Sequence, residues 1–132
     1  MLAAVATSDG VFVVDLEAEE IVDVQSGTVE PEEVAVELPR VVVAARSGST
    51  VVAVLDRKPP LVVSHDAGAT WHEAGAGLPV GFAVAVADDN PDLVVYGARH
   101  RLYVSGDGGR FWRSLAPELP TIVAIEIRLP AS

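Results

Sequence analysis

The chain is 132 residues long, half of them apolar, with a net charge of −10 and no cysteine. That length suits one ordinary domain with an ample core. The missing cysteines exclude a disulfide framework and thiolate metal sites, and the negative charge argues against nucleic acid or an anionic membrane as partner, since both call for clustered Lys and Arg.

The charge is uneven. Residues 1–39 hold ten acids and neither Lys nor Arg, whereas residues 40–132 hold nine of each sign. A solvated acidic face is the simplest account. The start of the chain, Met1 to Asp9, lacks the basic residues and apolar length of a signal peptide. No apolar run approaches the roughly 18 residues of a membrane span. A soluble, cytoplasmic protein is expected.

In chain order, short β-rich runs separated by turn residues predict three groups of four strands. The first group falls near 2–7, 10–16, 20–25 and 32–37. The second falls near 41–46, 50–56, 60–65 and 70–75, and the third near 82–88, 93–98, 101–105 and 110–115. Turn chemistry lies between them, as in Ser8-Asp9-Gly10, Ser47-Gly48-Ser49 and Asp88-Asp89-Asn90-Pro91-Asp92. The first two strands of each group are mostly Val and Ala without strict alternation, which predicts burial on both faces. The fourth carries polar residues (His72, Glu73, Arg110, Arg113) and is expected outermost. No segment of ten or more residues has a 3.6-residue period, so a doubly wound α/β fold is excluded. A surplus strand, Thr121 to Arg128, follows the third group.

The groups are copies of one unit. Ser64-His65-Asp66-Ala67-Gly68-Ala69-Thr70-Trp71 returns 41 residues later as Ser105-Gly106-Asp107-Gly108-Gly109-Arg110-Phe111-Trp112. Each is followed by Leu-Pro, at Leu78-Pro79 and Leu119-Pro120. A slide of 40 residues finds an eroded earlier copy ending at Leu38-Pro39, with Ser26 to Pro31 where the motif should stand. Four-stranded antiparallel units at this period describe blades of a β-propeller. The expected architecture is all-β, with blades at 1–39, 40–79 and 80–120 and a closing strand at 121–128.

The two motifs resemble the Asp-box, or BNR, repeat of sialidases, other glycoside hydrolases, sorting receptors and photosystem assembly factors. The resemblance implies structural roles for Ser64, Asp66, Gly68 and Trp71, and for Ser105, Asp107, Gly109 and Trp112. The Asp accepts backbone N–H bonds in the turn between the third and fourth strands. The Gly supplies a backbone shape other residues resist, and the Trp is an anchor between blades.

On this plan the opposite face carries the second-to-third and blade-to-blade loops, where propellers usually bind ligands. Its candidate residues are Arg40, Arg57, Arg99, His100, Arg101 and Glu17, with Glu19, Glu20, Asp56, Lys58 and Thr121 beside them. The resemblance to sialidases implies a three-arginine clamp and a Tyr nucleophile. The Arg-Ile-Pro motif is missing, however, and Tyr96 and Tyr103 lie inside apolar strands. A two-carboxylate glycosidase site is drawn only loosely from Glu17, Glu19 or Asp56. His65, His72 and His100 lack metal-ligand spacing, and Gly106-Asp107-Gly108-Gly109 lacks the other ligands of a calcium loop. No nucleophile elbow, P-loop or dinucleotide fingerprint is present.

The expected function is a non-catalytic binding or scaffold module for a protein or glycan, without cofactor or metal. The alternative is a glycoside-hydrolase or sialidase-like enzyme, and a third reading is a fragment of a longer propeller. Three blades would leave two apolar flanks open, so a homo-oligomer is expected, a dimer completing six blades. The surplus strand would join the partner's first blade or the junction. The acidic first blade would then meet the arginines of the partner's third.

Overall fold

The structure is a computed structural model and describes residues 1–29 and 34–128. Its strands are β1 (Leu2–Thr7), β2 (Gly10–Asp15), β3 (Glu20–Gln25), β4 (Val41–Ser47), β5 (Thr50–Leu55), β6 (Leu61–Ser64), β7 (His72–Ala74), β8 (Ala83–Val86), β9 (Val94–Gly97), β10 (Leu102–Ser105), β11 (Arg113–Ser114) and β12 (Ile122–Arg128). They pair antiparallel into three four-stranded, blade-like sheets. Sheet one is ordered β12-β1-β2-β3, sheet two β4-β5-β6-β7 and sheet three β8-β9-β10-β11.

The first sheet corrects the expected order. β1 is its second strand, and the surplus strand is its innermost one, in register from Leu2↔Arg128 to Ala6↔Ala124 with a bulge before Thr7↔Ile122. The strand expected at 32–37 is absent over 34–37, and residues 30–33 lie outside the described residues. The reason lies in β1. Its Ala3, Ala4 and Val5 are fully buried, so its backbone groups need partners on both edges. β2 covers one edge and β12 the other. A 40-residue slide pairs β1 with β4 because innermost and second strands share a Val/Ala composition. Ile122 and Ile125 are each 1% exposed. Full burial of such a side chain contributes about 1.5–3 kcal/mol, so packing as well as hydrogen bonding holds β12.

Sheet three lies between the other two. Its strands β8 and β9 meet β12, and β8 also meets β4 and β5. Among the described residues no strand of sheet one touches a strand of sheet two. The strand period of two divides the core cleanly. Ala83, Ala85, Val95, Leu102 and Val104 face Ala3, Val5, Val14 and Leu16 of sheet one. Val84, Val86, Val94 and Tyr96 face Val52, Val54, Leu61 and Val63 of sheet two. The outer strands β7 and β11 are short and largely exposed, because the repeated motif uses most of the residues expected to extend them.

The two outward flanks are not bare. Val29 packs on Ala4, Ala6 and Val11 of sheet one. Val34, Val36 and Leu38 pack on Ala44, Ala53, Leu55 and Val62 of sheet two. The connection from β3 to β4 therefore lies against both flanks that the sequence leaves open.

Tyr96 fills the junction of sheets two and three, with its hydroxyl donating to the Pro79 carbonyl. A Cβ placed on Gly81 would fall 2.3–2.5 Å from the Tyr96 ring and hydroxyl. Gly81→Ala is expected to cost about 1–3 kcal/mol through overpacking. Gly106→Ala, with nothing within 4 Å of its Cβ, is expected to change stability by less than about 0.5 kcal/mol. Thermal melting of the two variants checks the contrast.

Candidate functional site

The two repeated motifs fold into the same hydrogen-bonded turn. In the first, the buried Ser64 hydroxyl donates to Asp66 Oδ1 (2.7 Å) and accepts from the Gly68 N–H (2.8 Å). Asp66 also accepts from the Thr70 N–H (2.8 Å) and the Thr70 hydroxyl (2.6 Å). In the second, Ser105 donates to Asp107 Oδ1 (2.7 Å) and accepts from Gly109 (2.9 Å), while Asp107 accepts from the N–H groups of Phe111 (3.0 Å) and Arg110 (3.1 Å). Gly68 and Gly109 take φ of +94° and +96°, a region that glycine enters without steric cost.

These bonds favour the charged carboxylate. The Thr70 hydroxyl and N–H, with the Ser64 hydroxyl, hold Asp66 far below its ordinary value. The Phe111 N–H and the Ser105 hydroxyl lower Asp107 in the same way. Trp112 packs at the junction of sheets two and three, edge-on to Tyr96 at 6.0 Å, and its indole N–H donates to Gly109 O (2.9 Å). Trp71 sits on the other flank of sheet two, beside Leu38.

Sheet one has its own version of this turn between β2 and β3; part of the expected place, Ser26 to Pro31, lies outside the described residues. The β2–β3 hairpin stands in the equivalent place, where Asp15 Oδ1 accepts from the N–H groups of Glu17 and Ala18, both at 3.0 Å. The Ala18 N–H is the leading cause of a lowered Asp15 pKa. No Ser-x-Asp-x-Gly pattern announces this turn, so the sequence offered little signal for it.

The candidate ligand residues divide between two ends of the molecule. The loops carrying Arg40, Arg57, Arg99, His100 and Arg101 lie at one end. There Ile122 N–H meets Arg99 O (2.9 Å) and Ser8 N–H meets Thr121 O (3.0 Å). Glu17 lies at the opposite end, paired with the Met1 amino group at 2.8 Å, where Leu16 N–H meets Met1 O. Glu17 therefore does not join the arginines. The reason is the strand order: with β12 innermost, the turn at Glu17 becomes the third-to-fourth hairpin of its sheet.

Each candidate side chain at the loop end is engaged locally. Arg57 pairs with Glu73 at 2.8 Å, and Arg40 Nη1 donates to Asp56 O at 3.5 Å. Arg101 donates to the carbonyls of Leu115 (2.9 Å) and Ala116 (3.0 Å). His100 Nδ1 lies 3.0 Å from Leu119 O, and the Arg99 guanidinium stands 5.7 Å from the Phe82 ring centre. Arg99, His100 and Arg101 thus fasten the β9–β10 loop to the connections on either side of sheet three, whereas Arg40 and Arg57 bond within sheet two. Within the chain, sheet one meets sheet three where Arg113 pairs with Glu19 at 3.3 Å and Ala116 N–H donates to Glu19 Oε1 at 3.2 Å.

The innermost strands β4, β8 and β12 line a groove of about 450 Å³. Its walls are mainly Val and Ile, and Arg46, Asp88 and Glu126 are its charged groups. Its size falls in the range of about 300–1,000 Å³ usual for small-ligand pockets. Val42, on the groove wall, is 51% exposed. The sequence pointed away from this surface, since Val and Ala runs read as core.

No protein-family model and no curated protein matches the chain. Among solved structures it is similar to the GH74 enzyme of Niastella koreensis, with a TM-score of 0.51 and 21% sequence identity. The likeness covers 93% of this chain and 19% of that one. At that identity it speaks for the fold alone, an all-β, propeller-like arrangement. No helix among the described residues is long and apolar enough to cross a membrane.

Two expectations follow from the turns. Ala67 has φ of +59°, where its counterpart Gly108 has +75°. Left-handed backbone costs a non-glycine residue roughly 1–2 kcal/mol, offset by about 0.4–1 kcal/mol of extra freedom that glycine brings to the unfolded chain. Ala67→Gly is thus expected to raise the melting temperature slightly, and Gly108→Ala to lower it. The lowered carboxylates also set an acid response. Their contribution is present above the unfolded value of 3.8 and is lost as pH falls through the folded values. Melting temperatures taken from about pH 5 to 2 should fall less steeply in an Asp66→Asn, Asp107→Asn variant than in the unaltered protein.

Proposed function

We propose that the chain is a non-catalytic binding or scaffold module built on Asp-box propeller blades, with a protein or glycan as its ligand. The observation that carries this reading is the use made of the repeated carboxylates. Asp66 and Asp107 each accept three hydrogen bonds from their own turn, which favour the ionised form. A glycosidase acid at neutral pH needs the reverse, a carboxyl pushed upward. The arginines that would clamp an anionic sugar are tied to Glu73, to backbone carbonyls and to the Phe82 ring.

The groove between β4, β8 and β12 is the surface this reading assigns to the ligand, with Arg46, Asp88 and Glu126 as its polar contacts. A second copy of the chain would bring three sheets to six, within the roughly 4–8 blades of closed propellers. The likeness to a GH74 enzyme over 93% of the chain favours a second reading, a glycoside-hydrolase relative.

Sugar release separates the two. The protein is incubated at micromolar concentration with neutral polysaccharides and sialylated glycans, and reducing ends and free sialic acid are measured. A binding module gives no release above the protein-free control, and gel retardation by immobilised glycans identifies a glycan ligand. Release proportional to protein concentration overturns the binding reading in favour of the enzyme.

A further inference from the structure

Within the chain, the junction between neighbouring sheets is built twice by the same parts. Where sheet three meets sheet two, the third-to-fourth hairpin of sheet three leans on sheet two's outer strands. Trp112 packs there beside Ala74 of β7, and a Cβ on Gly109 would stand 3.7 Å from the Ala74 Cβ. Where sheet one meets sheet three, the hairpin of sheet one does the same, with Glu19 bonded to Arg113 and Ala116.

A third junction of this kind is half-made on each side. Trp71, the counterpart of Trp112, occupies the outward flank of sheet two over a groove of about 210 Å³ shared with Leu38 and Arg57. The matching outer strand, β3, shows Ile21, Val22 and Val24 at 39%, 51% and 54% exposure, whereas its counterparts β7 and β11 read His-Glu-Ala and Arg-Ser. Three branched apolar side chains on an outermost strand are out of place unless a neighbour covers them. The Trp71 flank is an apolar surface that could cover them.

The chain path says how the two meet. The connections from sheet two to three and from sheet three to β12 span residues 75–82 and 115–121, and each joins neighbouring sheets. The connection from β3 to β4 spans residues 26–40 yet joins the two sheets that do not touch. It would join neighbours, like the others, if residues 1–25 paired with the β12 of another molecule.

We infer that the protein assembles as a strand-exchanged dimer, in which β1–β3 of each copy complete a sheet on β12 of the other. The inference rests on the propeller reading above and specifies its partner as a second copy of this chain. Exchange keeps every β1–β12 pair from Leu2↔Arg128 to Thr7↔Ile122, now between copies, so it sacrifices no backbone hydrogen bond. It sets β3 of each copy against Trp71 of the same copy. Two chains contribute six sheets, and a two-fold axis closes the ring. Either ring displaces Val29, Val34, Val36 and Leu38 from the flanks they now cover, but only exchange makes the β3–β4 connection join neighbouring sheets.

The absence of cysteine makes the test direct. Ala6 and Ala124 are partners across β1 and β12, and Cα atoms of antiparallel partners lie about 4.5–5.5 Å apart, within disulfide reach. The double variant Ala6→Cys, Ala124→Cys is oxidised and run on a non-reducing denaturing gel, with light scattering of the unaltered protein alongside. Exchange yields a covalent dimer of twice the 13.8 kDa chain and a native mass of two chains. A disulfide closed within one chain overturns the exchange. With a two-chain native mass that result leaves the six-sheet ring standing; with a one-chain mass both ideas fall. A ladder of larger covalent species overturns the closed two-chain ring. Should the double variant fail to fold, the single variants Ala6→Cys and Ala124→Cys are refolded together. A disulfide between the two chains supports exchange, and its absence from a folded mixture overturns it.

Discussion

The pairing of β12 with β1 is the constraint on which the rest of the structure depends. It ties the last strand to the first and supplies the partner that a fully buried Val/Ala strand needs along its second edge. It also carries Ile122 and Ile125 into the core between sheets one and three. Because β12 takes the innermost place, β1, β2 and β3 each move one position outward. That shift alone sends Glu17 to the end of the molecule opposite Arg99, and brings Glu19 onto Arg113 of sheet three and onto Ala116. The distribution of charge over the two ends is thus a consequence of strand order.

Within the sheets, side-chain chemistry is divided by depth. Valine and alanine on the middle strands pack sheet against sheet, and alternate residues of β8 serve two different junctions. Polar turns close the hairpins through which each sheet meets its neighbour. The Ser-Asp pairs do this without help from other sheets, since each carboxylate is satisfied by the residues of its own turn. The same hydrogen bonds that make them good turn formers make them poor proton donors. A carboxylate already held by several donors has little left to offer a substrate.

The surfaces that remain for a ligand or partner are therefore apolar: the groove on β4, β8 and β12, the Trp71 flank of sheet two, and the outer face of β3. Each is made by strands of ordinary core composition that reach the edge of the array. In a propeller-like fold such surfaces arise wherever the succession of sheets stops. The connection between β3 and β4 lies over the Trp71 flank and over the outward flank of sheet one, while the outer strand and the groove stay open.

Most of the strands were legible in the sequence, because Val/Ala runs broken by Gly, Asn, Asp and Ser carry a local signal that needs no partner. The turn motif was legible for the same reason: Ser64, Asp66, Gly68 and Thr70 make all their bonds within seven residues. What the sequence left undecided was non-local. Whether Thr121 to Arg128 joins one sheet or another depends on an edge more than a hundred residues away, and no spacing encodes it. The sequence comparison even pointed to the wrong strand, since innermost and second strands have the same composition. Whether Arg57, Arg99 and Arg101 reach toward a ligand or toward Glu73, Phe82 and backbone carbonyls was likewise settled only when the loops met. Local hydrogen bonding and composition determined the unit; burial between distant segments decided its order and its ends.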